Sequence, residues 1–194
     1  MKGIDKLQGQ FLIAMPNMGD PRFERGVVYL CAHTREGAMG FIINKVLDKP
    51  SVPDFLHQLN IINDEEKRTM AGPLASAPLH NGGPVEPGRG FVLHSPDYSA
   101  ESTLTIDRNI SLTATLEILR AIVLGRGPKL AMIALGYSGW ASGQLEEEIT
   151  GNSWIVSKAD RGIIFDGAHE TKYDRALKQM GISPHSLSGQ AGHA

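Results

Sequence analysis

One cysteine, Cys31, is the only thiol in this chain of 194 residues. An internal disulfide is therefore excluded, and a reducing compartment suits the chain. Long apolar runs are missing too. The longest nearly uncharged one, residues 130–135, falls far below the roughly 20 residues that a bilayer-spanning helix needs. At the N-terminus Asp5, Lys6 and Gln8 interrupt any stretch of signal-peptide length, so the protein is expected to stay in the cytoplasm. Charge of one sign is also lacking, because 19 Lys and Arg against 21 Asp and Glu leave a formal net charge of −2. No global attraction to phosphate backbones or anionic lipid follows from that balance. Direct DNA binding and membrane association are not expected.

Cofactor and catalytic signatures are equally scarce. Neither a Walker phosphate loop nor a G-x-G-x-x-G fingerprint occurs, and the Gly125-Arg126-Gly127-Pro128 segment follows a predicted helix where a phosphate cradle would precede one. In Gly136-Tyr137-Ser138-Gly139-Trp140 the second glycine falls one position too early for the G-x-S-x-G nucleophile elbow. Cys31 and His33 are two apart on a predicted strand and would face the same way, but no second close pair completes a tetrahedral metal site. The other six histidines are scattered; His80 and His94 stand out because they flank the Gly82-Gly83-Pro84 turn. The sequence points to no metal and no cofactor, and it names no catalytic residue.

What is present is a globular composition, 41% hydrophobic and 21% charged, in a chain long enough to bury a core without staples. One domain is expected over residues 1–182, with a loosely held Ser/Gly/His-rich tail over 183–194. Residues 11–14 read as a strand stopped by Pro16 and Pro21 in a fixed loop. Residues 26–32 and 38–44 read as a hairpin turning at Glu36-Gly37. Ser51 caps a short helix that carries Phe55, Leu56 and Leu59 on one side. Residues 60–77 read as an exposed connection. Residues 79–94 read as a strand, a turn and a second strand, and residues 103–106 as another strand.

Residues 114–124 read as a well-buried helix capped by Ser111 or Thr113. The apolar run 130–135 suits a central strand covered on both faces. A tight turn through Gly136 and Gly139, with at least one glycine at positive φ, then leads into a helix capped by Ser142 and ending near Gly151. Residues 154–156 read as a strand, and Tyr173, Ala176, Leu177 and Met180 as the inner face of a last helix ending at Gly181.

Candidate binding residues fall in loops that pair a rigid turn with a polar or aromatic group: Asp20, Asn44, Gly82, Gly83, His94, Tyr137, Trp140, Gln144 and Glu148. Gln144 and Glu148 share one side of a helix at i, i+4. Trp140 offers a flat apolar face, although a core role suits an aromatic ring equally. These loops, 15–23, 81–85 and 136–144, are expected to meet in one recognition site.

Four blocks give the chain a resemblance that runs over nearly its whole length. They are Gly9-Gln10-Phe11-Leu12-Ile13-Ala14-Met15-Pro16 with Asp20-Pro21-Arg22-Phe23; Glu36-Gly37-Ala38-Met39-Gly40-Phe41-Ile42-Ile43-Asn44; Asn81-Gly82-Gly83-Pro84-Val85 with Gly90-Phe91-Val92-Leu93-His94; and residues 136–148. The chain resembles the YqgE/AlgH family of uncharacterised proteins. That resemblance implies an α+β fold in which a mixed, bent β-sheet closes partly into a barrel surrounded by helices. It implies no established reaction. One family name comes from a proposed transcriptional regulator of alginate production, a genetic effect that defines no DNA-binding domain or catalytic residue. Relatives carry an aromatic residue where His80 stands, so the resemblance assigns His80 no catalytic role. The reading is a binding or regulatory module for an unknown protein or small-molecule ligand, possessing an indirect effect on gene expression. The alternative is an enzyme acting on a small or phosphorylated metabolite through Asp20, Asn44, His94 and Glu148 in one polar cleft.

Overall fold

The computed structural model of the protein describes residues 7–188. Its strands are β1 (Gln10–Ala14), β2 (Val27–Thr34), β3 (Gly37–Ile42), β4 (Leu79–Asn81), β5 (Val85–His94), β6 (Leu104–Thr105), β7 (Ser111–Thr113), β8 (Ala131–Ala141) and β9 (Trp154–Lys158). The helices are α1 (Val52–Gln58), α2 (Asp64–Thr69), α3 (Leu116–Val123), α4 (Gln144–Thr150), α5 (Arg161–Phe165), α6 (Lys172–Gln179) and α7 (Pro184–Ser188). One mixed sheet runs in the order β6-β7-β5-β8-β3-β2-β1-β9, with β4 added in parallel to β8. The fold is α+β, a curled and partly barrel-like sheet with helices around it.

Alternation along the strands sorts the core into layers, since successive side chains point to opposite faces. Phe11, Ile13, Val27, Tyr29, Phe41, Phe91 and Leu93 share the concave face with Ile164, Tyr173 and Leu177 of α5 and α6. Their neighbours Leu12, Val28, Leu30 and Ile42 face outward and pack with Trp140, Trp154 and Leu145 of α4. At the other end of the sheet, Val92, Ile133 and Leu135 pack under Phe55 and Leu56 of α1 and Ile118 and Leu119 of α3. β8 is buried on both faces, as its apolar run implies.

Several local expectations change. β4 and β5 do not pair with each other; each pairs with β8, one parallel and one antiparallel. Within residues 60–77 lies α2, closed by a capping box in which Asn63 and Glu66 exchange side-chain and backbone hydrogen bonds. Ser111 and Thr113 belong to β7 rather than to a cap, and Thr115 holds the N-cap position of α3 without a side-chain bond. Only one side of that helix is covered, because Ile118 and Leu119 are buried while Leu116 and Leu124 are exposed.

The largest correction concerns β8, which does not stop at Leu135 but continues through Gly136 to Ala141. Gly136 does have a positive φ, 71°, but it bends a strand and does not begin a turn. Ser142 donates to the Arg35 carbonyl at 2.6 Å, and Gly143, at φ 78°, holds the N-cap position of α4 instead. Leu187 of α7 packs against the concave core; the rest of the tail, residues 189–194, lies outside the described residues.

Candidate functional site

The loop between β1 and β2 is built as a rigid body. Its ends meet where the Ala14 N–H donates to the Gly26 carbonyl at 2.9 Å, and Met15 is tied to Ser153 at 2.9 Å. Pro21 opens a 3-10 turn over Pro21–Phe23, and Asp20 caps it by accepting the Arg22 N–H at 3.0 Å. The Arg22 guanidinium also grips the Asp20 carboxylate, Nη2 to Oδ2 at 2.6 Å, and that bond holds the Asp20 pKa below its ordinary value. Both groups are partly exposed, so the pair fixes geometry more than it adds stability. Lys45 closes the far side by donating from Nζ to the Arg22 carbonyl at 2.8 Å.

Arg25 carries the loop's strain, with φ at 52°, a region that costs a non-glycine residue of the order of 1 kcal/mol. Asn44 holds it there. Its side-chain amide donates to the Arg25 carbonyl at 2.8 Å, and its Oδ1 accepts the Val27 N–H at 2.9 Å. The Arg25 guanidinium carbon lies 4.5 Å above the Tyr173 ring, and Nη2 meets Asp174 at 2.9 Å. Tyr173 is itself pinned, because its hydroxyl donates to the Ala14 carbonyl at 2.7 Å and burial raises its pKa.

A cleft of about 370 Å³ opens between this loop and the α6–α7 segment, walled by Met15, Pro16, Met18, Pro21, Tyr173 and Leu187. Arg25 and Glu24 supply its charged rim. The Arg25 side chain is 58% exposed, with its Nη2 shared with Asp174.

The aromatic residue of the same loop, Phe23, anchors it to the outer layer. Phe23 stacks on Trp140 with centroids 6.3 Å apart and meets Trp154 edge-on at 5.4 Å. Both indole N–H groups converge on Glu148 Oε2, at 2.9 Å from Trp140 and 2.8 Å from Trp154, while Gln144 donates to Oε1 at 2.9 Å. Trp140, Gln144 and Glu148 therefore meet, and with Phe23 they brace the cleft loop from behind.

Gly82, Gly83 and Tyr137 form a neighbouring strut. The Gly82 carbonyl accepts from Ile42 N–H at 2.9 Å and from Ser138 Oγ at 3.0 Å. A Cβ on Gly83 would lie 2.3 Å from the Tyr137 carbonyl, so only glycine lets these two backbones approach. Tyr137 turns to the concave face against Phe91, at 5.7 Å, opposite to Trp140 on the same strand.

His94 stands apart. It pairs with Ala131 at the start of β8, whereas Trp140 lies near that strand's end, roughly 30 Å of strand away. Fully buried, it donates from Nδ1 to the Ser95 carbonyl and accepts at Nε2 from Thr113 Oγ1, both at 2.8 Å. Burial lowers its pKa, and this neutral, doubly bonded ring holds two strands together. Asp20, Asn44, His94 and Glu148 thus share no cleft, and each is hydrogen-bonded within the fold.

Cys31 and His33 separate for a different reason. A β-bulge between Leu30 and Ala32 leaves Cys31 in the concave core and turns His33 outward to Glu146, 2.9 Å away. Among the described residues no group of three or more His, Cys, Asp or Glu side chains could hold a metal ion.

A family model described as AlgH-like matches residues 11–185. The chain belongs to that family. A UPF0301 protein of Beijerinckia indica is 54% identical over 97% of this chain and 92% of its own length. A Rhodopseudomonas palustris relative is 53% identical over 98% of this chain and 88% of its own. Among solved structures, the solution structure of the AlgH protein from Pseudomonas aeruginosa matches all of both chains at 38% identity with a TM-score of 0.77. A crystal structure of a Corynebacterium diphtheriae protein, at 17% identity and a TM-score of 0.71, covers all of this chain and 95% of its own and shares the fold.

The cleft wall takes in part of the 15–23 loop that the sequence singles out, together with Arg25, Tyr173 and Leu187, which the sequence does not mark. Positive φ at an arginine leaves no sequence signal. Tyr173 falls on the predicted inner face of the last helix, where packing alone accounts for an aromatic ring.

Proposed function

We propose that this chain is a binding module whose recognition site is the cleft between residues 15–25 and the α6–α7 segment. Its ligand is a small molecule or a short protein segment that joins an apolar group to an acidic one. The observation that carries the reading is Arg25, held in a strained backbone conformation by Asn44 and stacked on Tyr173, with its guanidinium presented at the rim. Stored strain and a pre-oriented guanidinium fork are features of ligand clamps. Methionine side chains such as Met15 and Met18 adapt to irregular apolar partners, and 370 Å³ lies in the size range of small-ligand sites. Asp20, Asn44, Trp140, Gln144 and Glu148 act here as positioning residues for the loop.

In this reading the protein works in the cytoplasm and affects gene expression indirectly, through its bound partner. The enzymatic alternative draws no support from a shared cleft, since its four polar groups are spent on separate internal bonds.

The test compares immobilised wild-type protein with Arg25→Glu, using Arg126→Glu on the exposed turn after α3 as the charge control. Small molecules and proteins retained from a bacterial extract are identified by mass spectrometry. A species held by wild type and by Arg126→Glu but released by Arg25→Glu supports the cleft. Identical sets from all three proteins would remove it.

A further inference from the structure

A second cavity, of about 160 Å³, lies between the sheet and residues 164–169. Ile122, Ile133 and Phe165 form much of its wall, and His80, His169 and Asp166 supply its polar groups. An apolar cavity of about 150 Å³ is large enough to admit a single benzene ring, which sets the size of any occupant.

The hydrogen bonds around the two histidines have only one consistent direction. His80 is 3% exposed, and its Nδ1 lies 3.3 Å from the Ile133 carbonyl, which can only accept. Nδ1 of His80 therefore carries the proton. Burial, with His169 and Lys172 nearby, pushes the His80 pKa down to about 3, so the ring is neutral and its Nε2 holds a lone pair. That nitrogen is 3.4 Å from His169 Nδ1, which must then be the donor. Burial lowers the His169 pKa as well, and its Nε2 is left with an unshared lone pair.

Nε2 of His169 makes no hydrogen bond within the described residues and is not buried, so it is open to solvent or a ligand. The remaining polar groups nearby are committed. Asp166 accepts from Arg175 Nη2 at 2.9 Å and from the Ala168 N–H at 3.0 Å. Lys172 is fully buried and donates from Nζ to the Ile164 carbonyl at 2.8 Å and the Ile43 carbonyl at 3.2 Å. The cations of Lys172 and Arg175 oppose a positively charged guest, and the Asp166 carboxylate on the wall opposes an anion.

We infer that this cavity is a binding site for a small neutral molecule of one-ring size that carries a single hydrogen-bond donor, of the phenol class, with its hydroxyl donating to His169 Nε2. The site is separate from the Arg25 cleft and stands or falls independently of it.

The test uses the whole chain labelled with ¹⁵N-histidine and titrated with phenol and with toluene, which replaces the hydroxyl by a methyl group of similar size. In wild type the ring-nitrogen spectra should show the proton on Nδ1 at both His80 and His169, and phenol should move the His169 Nε2 resonance. In His169→Phe the ratio of phenol affinity to toluene affinity should fall by about fivefold, the effect of one lost neutral hydrogen bond. The wild-type spectrum needs no variant to fold. A proton on His169 Nε2, an unchanged affinity ratio, or failure of both ligands to bind wild type at millimolar concentration would each overturn the inference.

Discussion

Replacing Glu148 by alanine removes the acceptor that two buried indoles share. Trp140 and Trp154 are 6% and 2% exposed, and their N–H groups reach the same Glu148 oxygen at 2.9 and 2.8 Å. A hydrogen bond to a charged acceptor contributes about 1.5–3 kcal/mol, and a stranded buried donor costs a similar amount. Glu148 is only half-buried, so water can enter after truncation and the lower end of that range applies to each bond. The expected loss is about 3 kcal/mol, a large share of the 5–15 kcal/mol typical of a folded domain. With a urea slope of about 2 kcal/mol per molar, the unfolding midpoint falls by roughly 1.5 M. Glu148→Gln keeps an acceptor oxygen without the charge and should lose about 1 kcal/mol. The chain has two tryptophans, both in this cluster, so their fluorescence reports on it directly and should shift to the red in Glu148→Ala. A midpoint within about 0.3 M of wild type with unchanged emission would refute the claim that Glu148 organises the layer behind the cleft loop.

Gly83→Ala forces a Cβ to within 2.3 Å of the Tyr137 carbonyl at a φ of 151°. Overpacking and strain together should remove about 3 kcal/mol or more, seen as a fall in Tm of about 8 °C. Acid sensitivity should trace to His80, whose pKa in the fold is about 3 against an ordinary 6.5. Below pH 6.5 the unfolded chain gains a proton that the folded chain refuses, so this contribution is present above pH 6.5 and is lost as pH falls toward 3. Wild type should lose about 2 kcal/mol more than His80→Gln between pH 7 and pH 5 in urea titrations; equal losses would count against the buried neutral ring. Duplex DNA should be bound weakly at most, with affinity vanishing as salt rises to physiological strength, given the net charge of −2. Tight sequence-selective binding in a filter or fluorescence assay would contradict that expectation.

Strand positions were legible where side-chain alternation or a continuous apolar run expressed burial, as at Val27–Thr34 and the start of β8. Ser51 announced α1 because its cap is a local contact, with the Asp54 N–H donating to Oγ at 3.2 Å. The Asn63-Glu66 capping box was just as local, yet α2 buries no residue, so it lacked the apolar stripe that makes a helix conspicuous. Gly136 and Gly139 suggested a turn because glycine weakens strands. What keeps them in β8 is pairing with residues far away in sequence, Met39 opposite Gly139 and Val85 opposite Tyr137, and at Gly136 a Cβ would lie only 2.5 Å from the Gly83 carbonyl. In the site, Asp20 and the loop around it could be read from proline and capping chemistry. Asn44 and Glu148 could be listed as polar, but their roles depend on Arg25 and on two tryptophans brought together by folding.

Selective methyl labelling of the methionines gives the most direct test of the cleft. Of the seven in the chain, Met15 and Met18 line it, whereas Met132 is buried between strands and Met180 lies exposed at the end of α6. Labelled protein titrated with a ligand recovered through the Arg25-dependent capture should show Met15 and Met18 resonances moving together and saturably, with Met132 and Met180 still, and the response should disappear in Arg25→Glu. Saturable binding that leaves Met15 and Met18 unmoved, or that shifts them equally in Arg25→Glu, would contradict the assignment of this cleft as the recognition site.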